Sequence, residues 1–117
     1  MNFSTITLSH FENPKNVGRI LGGSNVVHSL FGSPESHFVV TFDLQLNGSI
    51  IEDAKFKAYG GVNVIAGASF LTSYVIGKNI DDVRRTVDIN FVVQSLQWGA
   101  ADMPIAMSLV TALHKAL

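Results

Sequence analysis

Cysteine is absent from all 117 residues of this chain. That excludes disulfides, thiolate zinc sites, ordinary iron–sulfur ligation and cysteine nucleophiles together. An excess of either charge is missing too: eight Lys+Arg against nine Asp+Glu leave a formal charge of −1. With no basic stripe, nucleic-acid binding through phosphate neutralisation has no support. The longest uncharged stretch, Ala58 to Gly77, is interrupted by Gly60, Gly61, Asn63, Ser69, Thr72 and Ser73. It therefore predicts an amphipathic buried helix, and no membrane partner is expected. The N-terminus lacks a basic-then-apolar signal pattern, so a cytoplasmic location is the expectation. What is present is a composition 47% hydrophobic and 15% charged. Such a chain buries a core without staples, and a single domain over 1–117 is expected.

The pattern runs from strands to helices. Residues 1–12 read as a short helix with Ser4 or Thr5 as its cap, ended by Asn13-Pro14 because the residue before proline is pushed out of the helical region. Val26 to Phe31 reads as a strand closed by Gly32-Ser33-Pro34. Phe38, Val40, Phe42, Leu44 and Leu46 alternate with Thr41, Asp43 and Gln45, the period-2 pattern of a half-buried strand. Asn47-Gly48 then predicts a type I′ hairpin turn, and the returning strand would carry Ile50, Ala54, Phe56 and Ala58 on its covered face. From Gly61 the period becomes helical, with Val64, Ala68, Leu71 and Val75 on one stripe and Gly77 beyond its end. Asn79, Asp88 and Asp102 are placed to cap three further helices, with Asp81, Asp82, Arg84 and Arg85 suiting the dipole of the first. Pro104 is tolerated in the first turn of the last. The expected class is α+β, a three-stranded antiparallel sheet covered on one face by helices.

Two motifs carry a resemblance. His10-Phe11-Glu12-Asn13-Pro14-Lys15-Asn16-Val17-Gly18 and the block Gly48 to Gly60 (GSIIEDAKFKAYG) are similar to the N-terminal signature and central hairpin of the iron–sulfur cluster scaffold proteins of the IscU/NifU N-terminal type. The helix Ala66 to Lys78 and the turn Asn79-Ile80-Asp81-Asp82 follow in the same order. The resemblance implies that fold, a cluster built on three cysteines and an aspartate with a histidine beside the third, and sulfur supplied by a cysteine desulfurase. Position by position, Ser36 stands at the first cysteine and Phe38 at the aspartate, in Ser33-Pro34-Glu35-Ser36-His37-Phe38. Gly61 stands at the second cysteine in Tyr59-Gly60-Gly61-Val62. Trp98 and Gly99 fall at the histidine and third cysteine.

No ligand type survives at any of these positions. Thiolate sites draw their affinity from deprotonated sulfur, about 10–16 kcal/mol for structural zinc in small peptides, and a neutral hydroxyl with two glycines offers nothing comparable. No cofactor is therefore expected, although the resemblance would imply an iron–sulfur cluster or zinc. His37 stands beside the first cysteine position, either as a new ligand or as an exposed loop histidine, and it lacks a nearby second ligand. His28 reads as an edge-strand or packed histidine, and His114 as a charge at a helix C-terminus. Ser36 has no nucleophile elbow and no base. Glu52 and Asp53, adjacent on a strand, face apart. Gly60-Gly61 serve either a tight strand-to-helix turn or an anion at the helix N-terminus.

Phe38, Val62 and Trp98, with Met103, would turn the former metal end into an apolar, aromatic patch suited to a protein contact; the alternative is that they are core. His10 to Asn16 likewise reads either as a retained docking surface or as packing by Phe11 and Val17. The leading expectation is a non-enzymatic, cluster-less scaffold homologue that binds a protein: an assembly component such as a desulfurase, or a second copy of itself. The alternatives are a scaffold or iron carrier with altered ligands (Glu35, Ser36, His37), and a small-molecule domain whose vacated pocket has Ser36, His37 and Asn63 at its rim.

Overall fold

The computed structural model describes residues 3–117. Helix α1 (Thr5–Glu12) starts where Ser4 Oγ accepts the Thr7 N–H at 3.1 Å. Strands β1 (Val26–Ser33), β2 (Phe38–Asn47) and β3 (Ile50–Tyr59) form one antiparallel sheet in chain order. Helices α2 (Val62–Val75), α3 (Ile80–Thr86), α4 (Ile89–Leu96) and α5 (Met103–Ala116) follow. Strand alternation puts Val40, Phe42 and Leu44 of β2 and Ala54 and Phe56 of β3 on the inner face, all 0–1% exposed. They meet Ala68, Leu71 and Val75 of α2 and Ala106, Leu109 and Leu113 of α5. The two long helices come close where α2 carries Gly67. A Cβ there would stand 2.3 Å from Leu109 Cδ1 and 3.1 Å from the Trp98 ring, so any larger residue would displace the Leu109 side chain.

Three local expectations are corrected. Strand β1 runs through Gly32 and Ser33, which pair with Val39 and Phe38, and only then turns in a 3₁₀ segment at Pro34–Ser36. The hairpin loop is Gly48-Ser49, with Asn47 paired to Ile50. Gly48 alone has positive φ (61°), which is the II′ rather than the I′ pattern. The slip arises from a bulge: Gln45 pairs with Asp53, but Leu46 pairs with Ile51, leaving Glu52 as the extra residue. The side chains of β3 change face across it, so Ile51 is fully buried while Ile50 is 40% exposed. Finally, Asn79 and Asp88 do cap α3 and α4, each 2.8 Å from its backbone N–H, but the Asp102 side chain makes no cap bond to α5.

The outer face of the sheet is not simply solvated. Asp43 is 0% exposed. The segment after Gly18 crosses this face and brings Arg19 Nε to 2.5 Å and the Ile20 N–H to 3.0 Å of Asp43 Oδ2. From the edge strand, His28 Nδ1 lies 2.6 Å from Asp43 Oδ1. Burial, the largest single influence, pushes this carboxyl up. The bonds from Arg19, His28 and Ile20, with the Arg19 charge, outweigh it and hold the group below its ordinary range. His114 lies in the last turn of α5, as expected, and its Nε2 is also 2.8 Å from the Val87 carbonyl, tying α5 to the turn between α3 and α4.

Candidate functional site

The end of the molecule to which the resemblance assigns the ligand positions is built from three turns. In the first, the Ser36 hydroxyl lies 2.8 Å from the Ser33 carbonyl and 3.0 Å from the Phe38 carbonyl, so it is committed to shaping the 3₁₀ turn. His37 is exposed and left-handed (φ 58°). That backbone favours glycine, and glycine is what the resembled family carries there. Phe38 begins β2 half-buried, its ring edge-on to Phe31 at 6.3 Å. In the second turn, exposed Gly61 caps α2 with ordinary negative φ (−79°), ahead of half-buried Val62. In the third, the Trp98 side chain turns inward while Gly99 (φ −93°) is exposed and opens a short 3₁₀ turn.

The expected exposed aromatic patch is therefore not formed. Trp98 is 8% exposed and packs over Gly67. Its indole N–H donates to Thr7 Oγ1 at 3.0 Å, and Thr7 in turn donates to the Leu96 carbonyl at 3.0 Å. A buried indole needs such an acceptor, and α1 supplies it. Trp98 is core. Near these turns the exposed apolar side chains are Tyr59 (60%) and Met103 (39%); of the two, only Met103 was expected in the patch.

The His10 to Gly18 segment fastens the chain. Ser69 of α2 is fully buried, and its Oγ accepts the Lys15 N–H at 2.8 Å and lies 2.7 Å from His10 Nδ1. Burial, then the charge of Lys15, depress the His10 pKa. Asn16, left-handed at φ 64°, donates its side-chain amide to Thr72 Oγ1 at 3.2 Å. Its carbonyl accepts the Phe56 N–H at 2.9 Å, and the Gly18 N–H reaches the Phe56 carbonyl at 2.8 Å. The segment thus covers part of the β3 edge, as sheet edges require. The packing role expected of Phe11 and Val17 is overturned, because they are 36% and 56% exposed. Polar anchors do the fastening. Phe11, Glu12, Asn13, Pro14 and Lys15 present exposed surface.

One polar pair was missed by sequence reasoning. Asn63, in the first turn of α2, is 8% exposed and donates its Nδ2 to Asp102 Oδ1 at 3.0 Å. Asp102 Oδ2 accepts the Gly99 N–H at 3.2 Å, so the two glycine turns are linked through side chains. Neither residue type signals this locally, since 39 positions separate the pair.

Comparison with known proteins fits this geometry. The family model of the NifU-like N terminal domain matches residues 2–117. The chain belongs to that family. It is 37% identical over 86 residues to the iron-sulfur cluster assembly scaffold protein IscU of Escherichia coli (strain K12), covering 72% of this chain and 67% of the relative. The Haemophilus influenzae protein of the same name is 38% identical over 84 residues, covering 70% and 67%. Among solved structures, the N-terminal part of a NifU-like protein from Brucella abortus superposes with a TM-score of 0.71 at 16% identity, covering 97% of this chain and 90% of the other. A crystal structure described as a hypothetical protein gives 0.77 at 19% identity, over 95% and 93%. The expected α+β fold is the fold of this family.

The donor set does not fit a cluster or a zinc ion. Thiolate is wholly absent, and the Ser36 hydroxyl is spent on backbone. Gly61 and Gly99 have no side chains. Among the described residues, no three His, Cys, Asp or Glu side chains stand close enough together to hold a metal ion. Among the same residues no helix is long and apolar enough to cross a membrane.

Proposed function

We propose that this chain serves iron–sulfur cluster assembly as a non-enzymatic, scaffold-type subunit that docks an assembly protein and carries no cluster cage of its own. The supporting observation is the pairing of a scaffold frame matched over residues 2–117 with three turns that hold no thiolate or free carboxylate at the family's ligand positions. Exposed Tyr59 and Met103 on the surface of this end suit a protein contact. A cysteine desulfurase is the first partner to test, with another assembly component or a second copy next.

A second reading is a true scaffold whose cluster is held mainly by the partner's thiolates. The relatives' printed names favour it more directly than the first reading, since each is called a scaffold. Anaerobic co-purification with a cysteine desulfurase, followed by iron and sulfide analysis and an absorption spectrum, separates the two. A stable complex without iron, weakened by Tyr59→Asp or Met103→Asp, supports the docking subunit. Iron and sulfide in the complex but not in the isolated chain support the shared scaffold. Stoichiometric iron with sulfide-to-iron charge-transfer bands in the chain alone overturns the proposal, as does the absence of any complex across a range of salt.

A further inference from the structure

We infer that β1, the open edge of the sheet, takes an extended segment of another protein, bearing an acidic side chain, as an added strand. The two edges of the sheet differ. On β3 the outward N–H and C=O of Phe56 are met by Asn16 and Gly18. Strand β1 pairs on one side only, with β2. Just before it, the Asn25 carbonyl accepts the Leu46 N–H at 2.8 Å. The register then bonds Val27, Ser29 and Phe31 to β2 and turns the N–H and C=O of Val26, His28 and Leu30 outward. A separate contact agrees: the Leu30 carbonyl accepts Lys115 Nζ at 3.2 Å, in the place of an incoming strand's N–H. The run ends at Gly32, whose positive φ (94°) breaks the strand geometry. Unpaired groups in this alternation match the backbone of another extended chain.

Charge decides between the occupants. The ion pairs among the described residues are Arg19 and His28 with Asp43, Arg84 with Asp81, and Arg85 with Asp82. Lys115, lying over the edge with its Nζ 5.9 Å from the Phe31 ring, is left without a carboxylate. At its Val27–His28 end the edge opens on a cavity of about 630 Å³, walled also by Leu46, Asp81, Arg84 and Lys115. Arg84 and Asp81 pair with each other there, so Lys115 is the side chain with charge to spare. By contrast, the cavity of about 210 Å³ at the Gly99 turn has Asn63 in its wall but neither Ser36 nor His37, the rim expected of a vacated pocket. An added strand with a carboxylate near Leu30 answers both the unpaired backbone and the charge. A second copy answers only the backbone: β1 contains no acidic residue, and self-pairing adds another Lys115 to the same ladder.

The probe is the capped heptapeptide Val-Thr-Val-Glu-Val-Thr-Val, titrated into the full chain and followed by backbone amide shifts and amide exchange. Saturable shifts are expected, with new protection at Val26, His28 and Leu30. None should be added at Val27, Ser29 and Phe31, whose N–H groups already bond to β2. The same peptide N-methylated throughout should bind at least about tenfold more weakly, the scale of losing one or two hydrogen bonds. Replacing its Glu by Gln should weaken binding about two- to fivefold, the scale of an exposed ion pair. In Lys115→Gln the two peptides should bind alike. Leu30→Pro removes one outward N–H and spares the bonds to β2, so it should weaken the peptide about two- to tenfold; protection kept at Val27 and Ser29 shows that this variant is folded. No saturable binding, protection without the alternation, equal binding of the N-methylated peptide, or a Glu preference that survives Lys115→Gln would each overturn the proposal. So would a dimer of the chain alone, seen by sedimentation, that protects the same amides. Docking through Tyr59 and Met103 uses a different surface and is read separately by co-purification.

Discussion

The fastening segment His10–Gly18 and the three turns at which the resemblance places the family's ligands use their side chains in opposite ways. The first resembles the family signature and is tied to the fold by polar anchors: His10 and the Lys15 N–H on Ser69, Asn16 on Thr72 and on the β3 backbone. The second, where the resemblance places the family's ligands, carries no ligand side chain at Gly61 or Gly99, and its backbone is unstrained at both. The difference teaches that retention of the motif does not by itself argue for docking. A segment that pins α1 and covers a sheet edge is needed for the fold whether or not a metal is carried. Loss at the other end is cheap, because exposed loop side chains contribute little to stability.

The strongest challenge to this contrast is to remove the one large side chain by which the ligand end does hold the fold together. Trp98→Ala should cost about 3–5 kcal/mol by urea unfolding, since it empties the space over Gly67 and leaves Thr7 without its indole donor. A loss under about 1 kcal/mol, the scale of a surface change, would mean that this end is as dispensable as its turns. Next comes the fastening segment. Ser69→Ala leaves the Lys15 N–H without its acceptor and His10 Nδ1 without its partner, for about 1–3 kcal/mol. Amide exchange should then quicken in α1 before the sheet. If exchange instead rises evenly throughout, the segment is not a separable fastening.

Acidification tests the same region without mutation. The folded pKa of His10 lies below the ordinary 6.5, so the folded state binds fewer protons than the unfolded one between the two values. The contribution is complete above about pH 6.5 and fades as pH falls from there through the depressed folded value. His10→Gln, which keeps a hydrogen-bonding group for Ser69, should flatten this part of the stability profile. Asp43 adds a second fall lower down: its contribution is present above the ordinary carboxyl value of 3.8 and disappears as pH drops through its lowered folded pKa. A profile flat from pH 7 to 5 (expected fall set by the 6.5 reference) would deny His10 its role.

The smallest expected effect on stability sharpens the contrast most. A Cβ at Gly61 or at Gly99 meets nothing within 4 Å, and both positions have negative φ. Ser36→Cys, Gly61→Cys and Gly99→Cys together should therefore change stability by only about 0.5 kcal/mol or so apart from the lost Ser36 bonds. Purified under reducing conditions, the triple variant should bind zinc where the natural chain does not, measured by metal analysis after chelator challenge. Failure of a well-folded triple variant to bind would show that these turns do not converge on one metal.

Much of the fold was legible in the residues because it depends on local rules. The period-2 run from Phe38 and the caps Ser4, Asn79 and Asp88 obey propensities that act within a few positions. Where a tertiary partner intervened, legibility ended. Asp43 sits in the polar register of β2 and reads as solvent-facing until Arg19 and Ile20 cross over it. Ile50 and Ile51 are indistinguishable in sequence, and a bulge two strands wide decides between them. At the candidate site, the missing ligands were plain from composition, whereas the burial of Trp98 depended on a threonine 91 positions away.

Chain composition alone established that no thiolate chemistry is available, because that follows from which atoms exist. Periodicity and capping alone established three strands followed by helices, because backbone geometry repeats over short distances. Whether an aromatic residue is surface or core, whether a carboxylate has a counter-ion, and which strand edge is left open depend on packing between segments far apart in the chain. Burial and electrostatics are properties of the assembled volume, and only the tertiary structure decided them.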